Sequence, residues 1–189
     1  MSPDNTTQLV LALLGFALVA GILGWSPYGR SVWPPVSMTA LAAAAVVAAV
    51  ADELSADRVE VTILVTLAGL VAVVGGGPVT TRIFAFVDRA DRADRDQQTD
   101  QQTLAQAGLV LRGGAWIGAL ERMAVFAGLA AGFAGGVAVV LALKGVGRFQ
   151  DLRTDGTVNG AATERFIIGT FTSVLWAAAC AGLVALVRR

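Results

Sequence analysis

The charged residues of this chain divide it into long uncharged stretches. Five of these hold 25, 21, 21, 21 and 22 residues without Asp, Glu, Lys or Arg, and they are 5–29, 31–51, 61–81, 123–143 and 166–187. A helix needs about 20 apolar residues to cross the roughly 30 Å hydrocarbon core of a bilayer. The stretches are continuously apolar and do not alternate as barrel strands do. The pattern therefore predicts an all-α, polytopic helical membrane protein with about five transmembrane helices.

We expect a single integral membrane domain over residues 1–189. Its predicted spans are Gln8–Gly24, Val36–Ala51, Val61–Gly76, Met123–Leu143 and Phe166–Val187. The second span is the weakest, because its centre is rich in alanine. The first is expected to be retained and not cleaved as a signal peptide. A signal peptide begins with basic residues, whereas the segment before this span contains Asp4 and no Lys or Arg.

Basic residues flank the predicted spans unevenly. With five spans, nine of the 14 Lys and Arg residues fall on one side of the membrane and five fall on the other. Lys and Arg favour the cytoplasmic side. The sequence therefore predicts a multi-pass protein of the inner (plasma) membrane, with the N-terminus outside and the C-terminus in the cytoplasm.

Small residues recur every four positions in the predicted spans. In a membrane, such residues let two helix backbones approach closely and gain dispersion contacts. Two predicted packing faces are Gly128, Gly132 and Gly136 in the fourth span, and Gly169, Ser173 and Ala177 in the fifth. Two interpretations stay open: these faces pack against helices of the same chain, or they dock another membrane subunit.

Residues 78–112 form a predicted cytoplasmic arm, amphipathic and charged. The run Gly75-Gly76-Gly77-Pro78 should end the third helix and let a new one begin at Pro78. Acidic and basic residues then alternate from Asp88 to Asp96 at spacings that allow i,i+4 ion pairs. The arm is either a solvated linker or a partner-binding segment. Its glycines lack a following Lys-Ser/Thr, so a phosphate-binding P-loop is not predicted.

Charged residues gather at the edges of the last two spans. They are Glu121, Arg122, Lys144, Arg148, Glu164 and Arg165. Lys144 and Arg148 share a helix face, and two cations there could hold a lipid phosphate or pair with acids of the next loop. The alternative is that all six are interfacial anchors and loop ion pairs. With charges only at the edges, the pattern does not indicate a proton relay.

Composition narrows the chemistry further. The 14 basic residues balance 14 acidic ones, so nucleic-acid binding has no electrostatic basis. The chain has no His, which excludes His-based metal sites and Ser-His or Cys-His catalysis. The single cysteine, Cys180, lies in an apolar run and is expected to be buried. The sequence therefore predicts no catalytic residue, no cofactor and no metal site.

Three segments of the last third carry a resemblance to known proteins. They are Gly113–Arg122 (GGAWIGALER), Leu143–Phe149 (LKGVGRF) and Glu164–Ser173 (ERFIIGTFTS). Together they resemble the blocks of an actinobacterial-type family of small integral membrane proteins of unknown function, over about residues 112–182. A weaker resemblance is to the Luc-type accessory subunits of Mce lipid importers. It implies partners among integral membrane subunits, of which a lipid-transport permease is one candidate, and lipids.

The predicted function is that of a non-catalytic inner-membrane subunit of an envelope assembly. The resemblance implies that this assembly is an Mce-type lipid importer. The alternatives are a stand-alone small transporter or flippase that acts as a homo-oligomer, and a lipid head-group enzyme. A transporter should contain polar or broken helices inside the membrane, whereas a subunit needs apolar faces with small residues. Lipids and other membrane subunits are the expected partners.

Overall fold

The computed structural model describes residues 3–51, 56–94, 114–148, 153–154, 157–158 and 160–189. Seven α-helices make up most of this part: α1 Pro3–Leu23, α2 Trp33–Val50, α3 Arg58–Leu70, α4 Gly76–Asp94, α5 Gly114–Ala130, α6 Gly135–Arg148 and α7 Gly160–Val187. A short antiparallel pairing of Arg153–Thr154 (β1) with Thr157–Val158 (β2) precedes α7. The predicted all-α, polytopic helical fold is confirmed.

In the described part, four helical segments are long and apolar enough to cross a membrane. They are Asn5–Leu23, Trp33–Val50, Arg58–Arg89 and Thr163–Val187, while the apolar helix Gly135–Gly147 is shorter. Large apolar side chains lie exposed on the outer faces, among them Phe16, Val46, Ile63 and Leu175. Apolar surface on this scale is typical of proteins that face lipid. These features fit a multi-pass membrane protein.

The first two helices form an antiparallel hairpin. The Ser37 hydroxyl on α2 donates a buried hydrogen bond of 2.9 Å to the carbonyl oxygen of Ala17 on α1. The alanines of α2 that face inward are Ala40, Ala44 and Ala48, all buried. Small residues at four-residue spacing therefore do bring these two backbones close together.

The third helix does not end at its glycines. It begins with a capping box, in which the Asp57 side chain accepts from the Glu60 backbone and the Glu60 carboxylate accepts from the Asp57 backbone. The chain then passes through a π-helical turn at Val71–Gly75, called the bulge below, and continues as α4. The predicted break is present, but it widens the helix and does not terminate it.

The bulge follows from Pro78. Proline has no backbone N–H, so the carbonyl oxygens four and five residues before it, on Val74 and Val73, lose their helical donor. A π-turn is one way for a helix to absorb such a gap. The helical part of the predicted arm continues to Asp94, and residues 95–113 lie outside the described residues.

The predicted single span at Met123–Leu143 is wrong. The structure has two antiparallel helices there, α5 and α6, joined by a turn at residues 131–134. Gly132 has φ +80°, the left-handed conformation that ends many helices. The Phe133 and Gly132 amides donate to the carbonyl oxygens of Gly128 and Leu129, which completes a Schellman motif. Glycine at position 132 thus turns the chain back instead of continuing the helix.

The direction of each helix follows from its contacts. On α7 and α4, Arg165 pairs with Asp88, and an added Cβ at Gly169 would lie 2.9 Å from the Phe84 ring, so these helices are antiparallel. Gly21 of α1 and Gly24, just after it, approach Gly75 and Pro78 in the same order along both segments, so α1 is parallel to α3 and its continuation. We name the two ends of the bundle the Arg58 end and the Asp88 end.

Both ends of the described chain lie at the Arg58 end. The start of α1 follows from its direction, and at the end of α7 the Arg188 guanidinium donates 2.9 Å to the carbonyl oxygen of Ala130. The turn between α5 and α6 therefore also lies at that end. The prediction that the termini lie on opposite sides assumed one continuous fourth span, which the structure replaces with two helices.

The bundle core lies between α1, α3, α5 and α7. Its largest fully buried side chains include Leu14, Leu64, Val125 and Leu183. Cys180 is fully buried, as its apolar surroundings predict. The helix α6 packs chiefly on α5 and exposes Val139 and Leu143. The packed core therefore fixes the positions of α5 and α7, whose side chains line the Asp88 end of the bundle.

Candidate functional site

A cavity of about 740 Å³ lies at the Asp88 end of the bundle. It is bounded by the α1–α2 connection, the first turns of α4, and one face each of α5 and α7. Glycines line much of its wall: Gly24, Gly77, Gly114, Gly118 and Gly169. At Gly24, Gly77 and Gly169 an added Cβ would lie within 3.0 Å of a neighbouring side chain, so glycine here lets the walls of the cavity pack closely.

The charge of the cavity is strongly biased. Its lining includes four cationic side chains, Arg30, Arg122, Lys144 and Arg165, and no carboxylate among the residues that the structure describes. Hydroxyl groups of Thr80, Thr81, Thr170 and Ser173 also line it. Cations and hydroxyl donors together offer hydrogen bonds to an anion.

Arg122 is the most deeply placed of the four cations, with 6% of its surface exposed. Its Nε donates 3.1 Å to the carbonyl oxygen of Val73 in the bulge. Its Nη1 lies 3.4 Å from the Ser173 hydroxyl oxygen on α7. Both partners are neutral. Arg122 therefore joins α5 to the bulge and to α7 without bonding a carboxylate among the described residues.

The bulge accepts hydrogen bonds from three distant parts of the chain. Besides Arg122, the Trp25 indole nitrogen donates 3.1 Å to the Val74 carbonyl oxygen, and the Trp176 indole nitrogen donates 3.0 Å to the Val71 carbonyl oxygen. Three carbonyl groups of the irregular turn thus accept hydrogen bonds from side chains. These bonds fix the bulge against the α1–α2 connection, α5 and α7.

Thr170 carries an unsatisfied polar group. Its Oγ1 is buried and has no hydrogen-bond partner in the part of the chain that the structure describes, and the residue is 8% exposed. Thr170 lies on α7, three residues before Ser173, so both face the cavity from the same side. A buried hydroxyl without a partner is uncommon and calls for an explanation.

Two of the other three cations that line the cavity are paired with acids. Lys144 on α6 forms an ion pair with Glu121 on α5. Arg165 on α7 pairs with Asp88 on α4 and lies 5.9 Å from the centre of the Phe84 ring. Both pairs are partly exposed, so each contributes less to stability than a buried pair with good geometry. They hold α6 and α7 beside the cavity.

The six charged residues predicted at membrane edges have different places. Glu121, Arg122, Lys144 and Arg165 meet around the cavity, where Lys144 pairs with Glu121, and the acids of the following loop lie outside the described residues. Glu164 is exposed beside them. The side chain of Arg148 lies outside the described residues, so its predicted lipid contact cannot be placed.

The two predicted packing faces also differ. Gly169, Ser173 and Ala177 all point into the bundle, and Gly169 packs on Phe84. In the other series, Gly136 faces Gly128 across the hairpin, since an added Cβ there would lie 4.0 Å from the Gly128 Cα. Gly132 is not part of that face, because it occupies the turn.

The three sequence segments that carry the resemblance converge on the cavity. They contribute Gly114, Ala115, Gly118, Arg122, Lys144, Arg165, Phe166, Gly169, Thr170 and Ser173, which are ten of its 17 lining residues. The sequence analysis did not place Trp25, Arg30 or Thr170 at a common site. The available signal was the helical spacing of Arg165, Gly169 and Ser173, which puts them on one face.

Comparison with known proteins gives no relative from which to transfer a role. The chain matches no protein-family model, no curated protein and no solved structure.

Proposed function

We propose that the chain is a non-catalytic, multi-pass inner-membrane protein that binds membrane lipid in the cavity and serves lipid transport as a subunit of an envelope assembly. The observation that carries this proposal is the cavity, with about 740 Å³ of space and a cationic lining. Lipid head groups are polar, and the anionic ones among them give the cytoplasmic side of a membrane its negative surface potential.

The height of the cavity supports a lipid ligand. Counted from Arg58, about 20 helical residues at 1.5 Å each cover the roughly 30 Å hydrocarbon core and reach Pro78. Pro78 lines the cavity, and Trp25 reaches the same height through its bond to Val74. Tyr28, next to it in the α1–α2 connection, is 98% exposed. Trp and Tyr favour the membrane–water interface, where head groups lie.

The positions of the basic residues support an orientation. With both termini at the Arg58 end, that end carries Arg58, Arg188 and Arg189, and the other nine Lys and Arg residues that the structure describes belong to the Asp88 end. This excess of Lys and Arg at one end is larger than the nine against five that a five-span arrangement gives. By the positive-inside rule the Asp88 end is cytoplasmic. We therefore propose that both termini lie outside and that the cavity opens at the cytoplasmic leaflet.

The role as a subunit is supported by uncovered small residues. An added Cβ at Gly15, Gly145, Gly147 or Gly182 would meet no atom within 4 Å. These positions, among the described residues, leave room for the backbone of a neighbouring helix. The weak resemblance to Luc-type accessory subunits makes the Mce lipid importers the proposed assembly.

The second candidate is a stand-alone small transporter or flippase that acts as a homo-oligomer. The bulge favours it, because transporters often break a helix inside the membrane and π-turns are frequent at functional sites. The uncharged run 61–81 is centred on Val71, the first residue of the bulge. A subunit that only covers a partner has no need of such a turn.

Lipid binding can be tested on the full chain extracted in a mild detergent, with the co-purifying lipid measured by mass spectrometry. Ala115→Phe should fill part of the cavity and lower the lipid recovered by at least half. Ala127→Phe is the control, because Ala127 lies exposed on the same helix and does not line the cavity. Equal lipid recovery from both variants and the wild type would overturn the proposal.

A separate purification distinguishes the two candidate functions. Tagged chain recovered together with a lipid-transport permease would support the subunit role. Recovery of the chain alone, as one homo-oligomer of defined size, would favour the stand-alone transporter and exclude the subunit role.

A further inference from the structure

We propose that Arg122 and Thr170 bind the phosphate group of an anionic phospholipid inside the cavity. The inference deepens the proposed function and rests on it for the source of the ligand, which is the membrane. The chemistry that recognises the ligand is that of a phosphate oxyanion, with several acceptor oxygens and a negative charge.

The first argument is the buried charge of Arg122. A buried cation is stable when a counter-ion and hydrogen bonds replace the water that it loses. Here the two hydrogen-bond acceptors are a carbonyl oxygen and a hydroxyl oxygen, both neutral. Glu121, the nearest acid along the chain, is close enough to attract Arg122 but forms its ion pair with Lys144. Arg122 therefore has no carboxylate bonded to it among the described residues.

The second argument is the unused donor capacity of the guanidinium group. Arginine has five N–H donors in a planar fork. The described bonds engage Nε and Nη1, and none of them engages Nη2. Arg122 lines the cavity, so the remaining N–H groups are available to a ligand there. Oxyanions such as phosphate accept two parallel N–H bonds from such a fork.

Thr170 supports the phosphate site in a way that does not depend on the charge of Arg122. Its hydroxyl is more than nine-tenths buried, lines the same cavity and has no partner in the described part of the chain. Because the Oγ1 has almost no accessible surface in this structure, binding requires a small movement around Thr170, after which a phosphate oxygen would accept its O–H. Ser173, three residues further along α7, already accepts from Arg122. The two hydroxyls and the guanidinium thus share one wall of the cavity.

The surroundings favour phosphate over a smaller ligand. Arg30 adds positive charge to the lining, whereas Lys144 and Arg165 are paired with Glu121 and Asp88. Gly118 lies beside the guanidinium, since an added Cβ there would be 3.3 Å from Arg122 Nη1, so the absence of a side chain at this position leaves that nitrogen uncovered on one side. The acyl chains of a phospholipid could then remain in the hydrocarbon core on the Arg58 side.

The test measures binding of three probes to the full chain purified in detergent, by native mass spectrometry. The probes are dioleoyl phosphatidic acid, dioleoylglycerol, which has the same acyl chains without phosphate, and sodium phosphate. We expect phosphatidic acid to bind at least tenfold more tightly than dioleoylglycerol. Equal binding of these two lipids would overturn the phosphate site. Sodium phosphate that binds as tightly as phosphatidic acid would overturn the lipid source.

Variants locate the site. Arg122→Gln should weaken phosphatidic acid binding at least tenfold, whereas Arg58→Gln, at the opposite end of the bundle, should leave it unchanged. Thr170→Val keeps the size of the side chain and breaks no described hydrogen bond, so it tests the site even if Arg122→Gln does not fold. It should weaken binding about threefold and raise the melting temperature of the lipid-free protein, because it removes an unsatisfied group.

Unchanged affinity in both cavity variants would overturn the site. If those variants also keep their full load of co-purified lipid, the proposed lipid binding stands and only its phosphate contact is wrong. A wild-type chain that retains no lipid at all overturns both proposals together.

Discussion

The guanidinium Nε of Arg122 donates a 3.1 Å hydrogen bond to the carbonyl oxygen of Val73, and Val73 lies five residues before Pro78. In a π-turn that carbonyl would accept from the amide of residue 78, which proline lacks. A side chain from a different helix thus replaces a missing backbone donor. The proline, the bulge and the buried arginine are parts of one structural feature.

The same reasoning predicts unequal effects for the two tryptophans that bond the bulge. Trp176→Phe removes a buried N–H donor and leaves the Val71 carbonyl less satisfied, so it should lower the free energy of unfolding by about 1–3 kcal/mol. Trp25→Phe removes an exposed bond, which water can replace, and should cost less than about 1 kcal/mol. Thermal melting of both variants in detergent measures the difference. Equal losses would contradict a role for burial.

Two glycines of α1 should respond in opposite directions to alanine. At Gly21 an added Cβ would lie 3.1 Å from the Cα of Gly75, so Gly21→Ala should push α1 off the bulge and cost about 1–2 kcal/mol. At Gly15 it would meet nothing within 4 Å, and Gly15→Ala should stabilise the helix by up to about 1 kcal/mol. If melting temperatures of the two variants shift together, the close approach of α1 to the bulge is not a determinant of stability.

The sequence predicts the helices well, because charge-free runs mark membrane spans directly. It predicts less about Arg122, which directly precedes the uncharged run 123–143 and is therefore expected at the membrane edge. The helix α5 starts eight residues earlier, at Gly114, and this extension moves Arg122 into the bundle. Segmentation by charge cannot detect that shift, since a charged residue always bounds a run by definition.

The hairpin of α5 and α6 was not predicted from the sequence, for a different reason. Hydropathy does not change between Met123 and Leu143, so a tight turn within the run leaves no polar signal. The cluster Gly132-Phe133-Ala134-Gly135-Gly136 did contain a turn signal, since glycine commonly ends helices in the left-handed conformation. Reading the glycines only as packing positions missed it. Likewise, nothing in the sequence indicates that the Thr170 hydroxyl lacks a partner, because that depends on tertiary packing.

The turn gives a prediction with a matched control. Gly132→Ala would place a Cβ at φ +80°, which costs about 1–2 kcal/mol for an L-residue other than glycine. Gly182→Ala, at a helical position with nothing within 4 Å, should be neutral or slightly stabilising. Unfolding in mixed micelles compares the two. A harmless Gly132→Ala would mean that the chain does not reverse at this glycine and would restore a continuous fourth span.

Membrane topology provides the sharpest test of the hairpin, because the reversal between α5 and α6 changes the side of the membrane on which the chain ends. Single cysteines can be placed in a Cys180→Ala background by Gln98→Cys, Thr157→Cys and Arg189→Cys. In intact cells, a membrane-impermeant thiol reagent should label position 189 and leave positions 98 and 157 unlabelled until the membrane is opened. Five spans with a cytoplasmic C-terminus would instead expose position 157 and protect position 189. Labelling of position 157 alone would therefore overturn both the hairpin and the proposed cytoplasmic opening of the cavity.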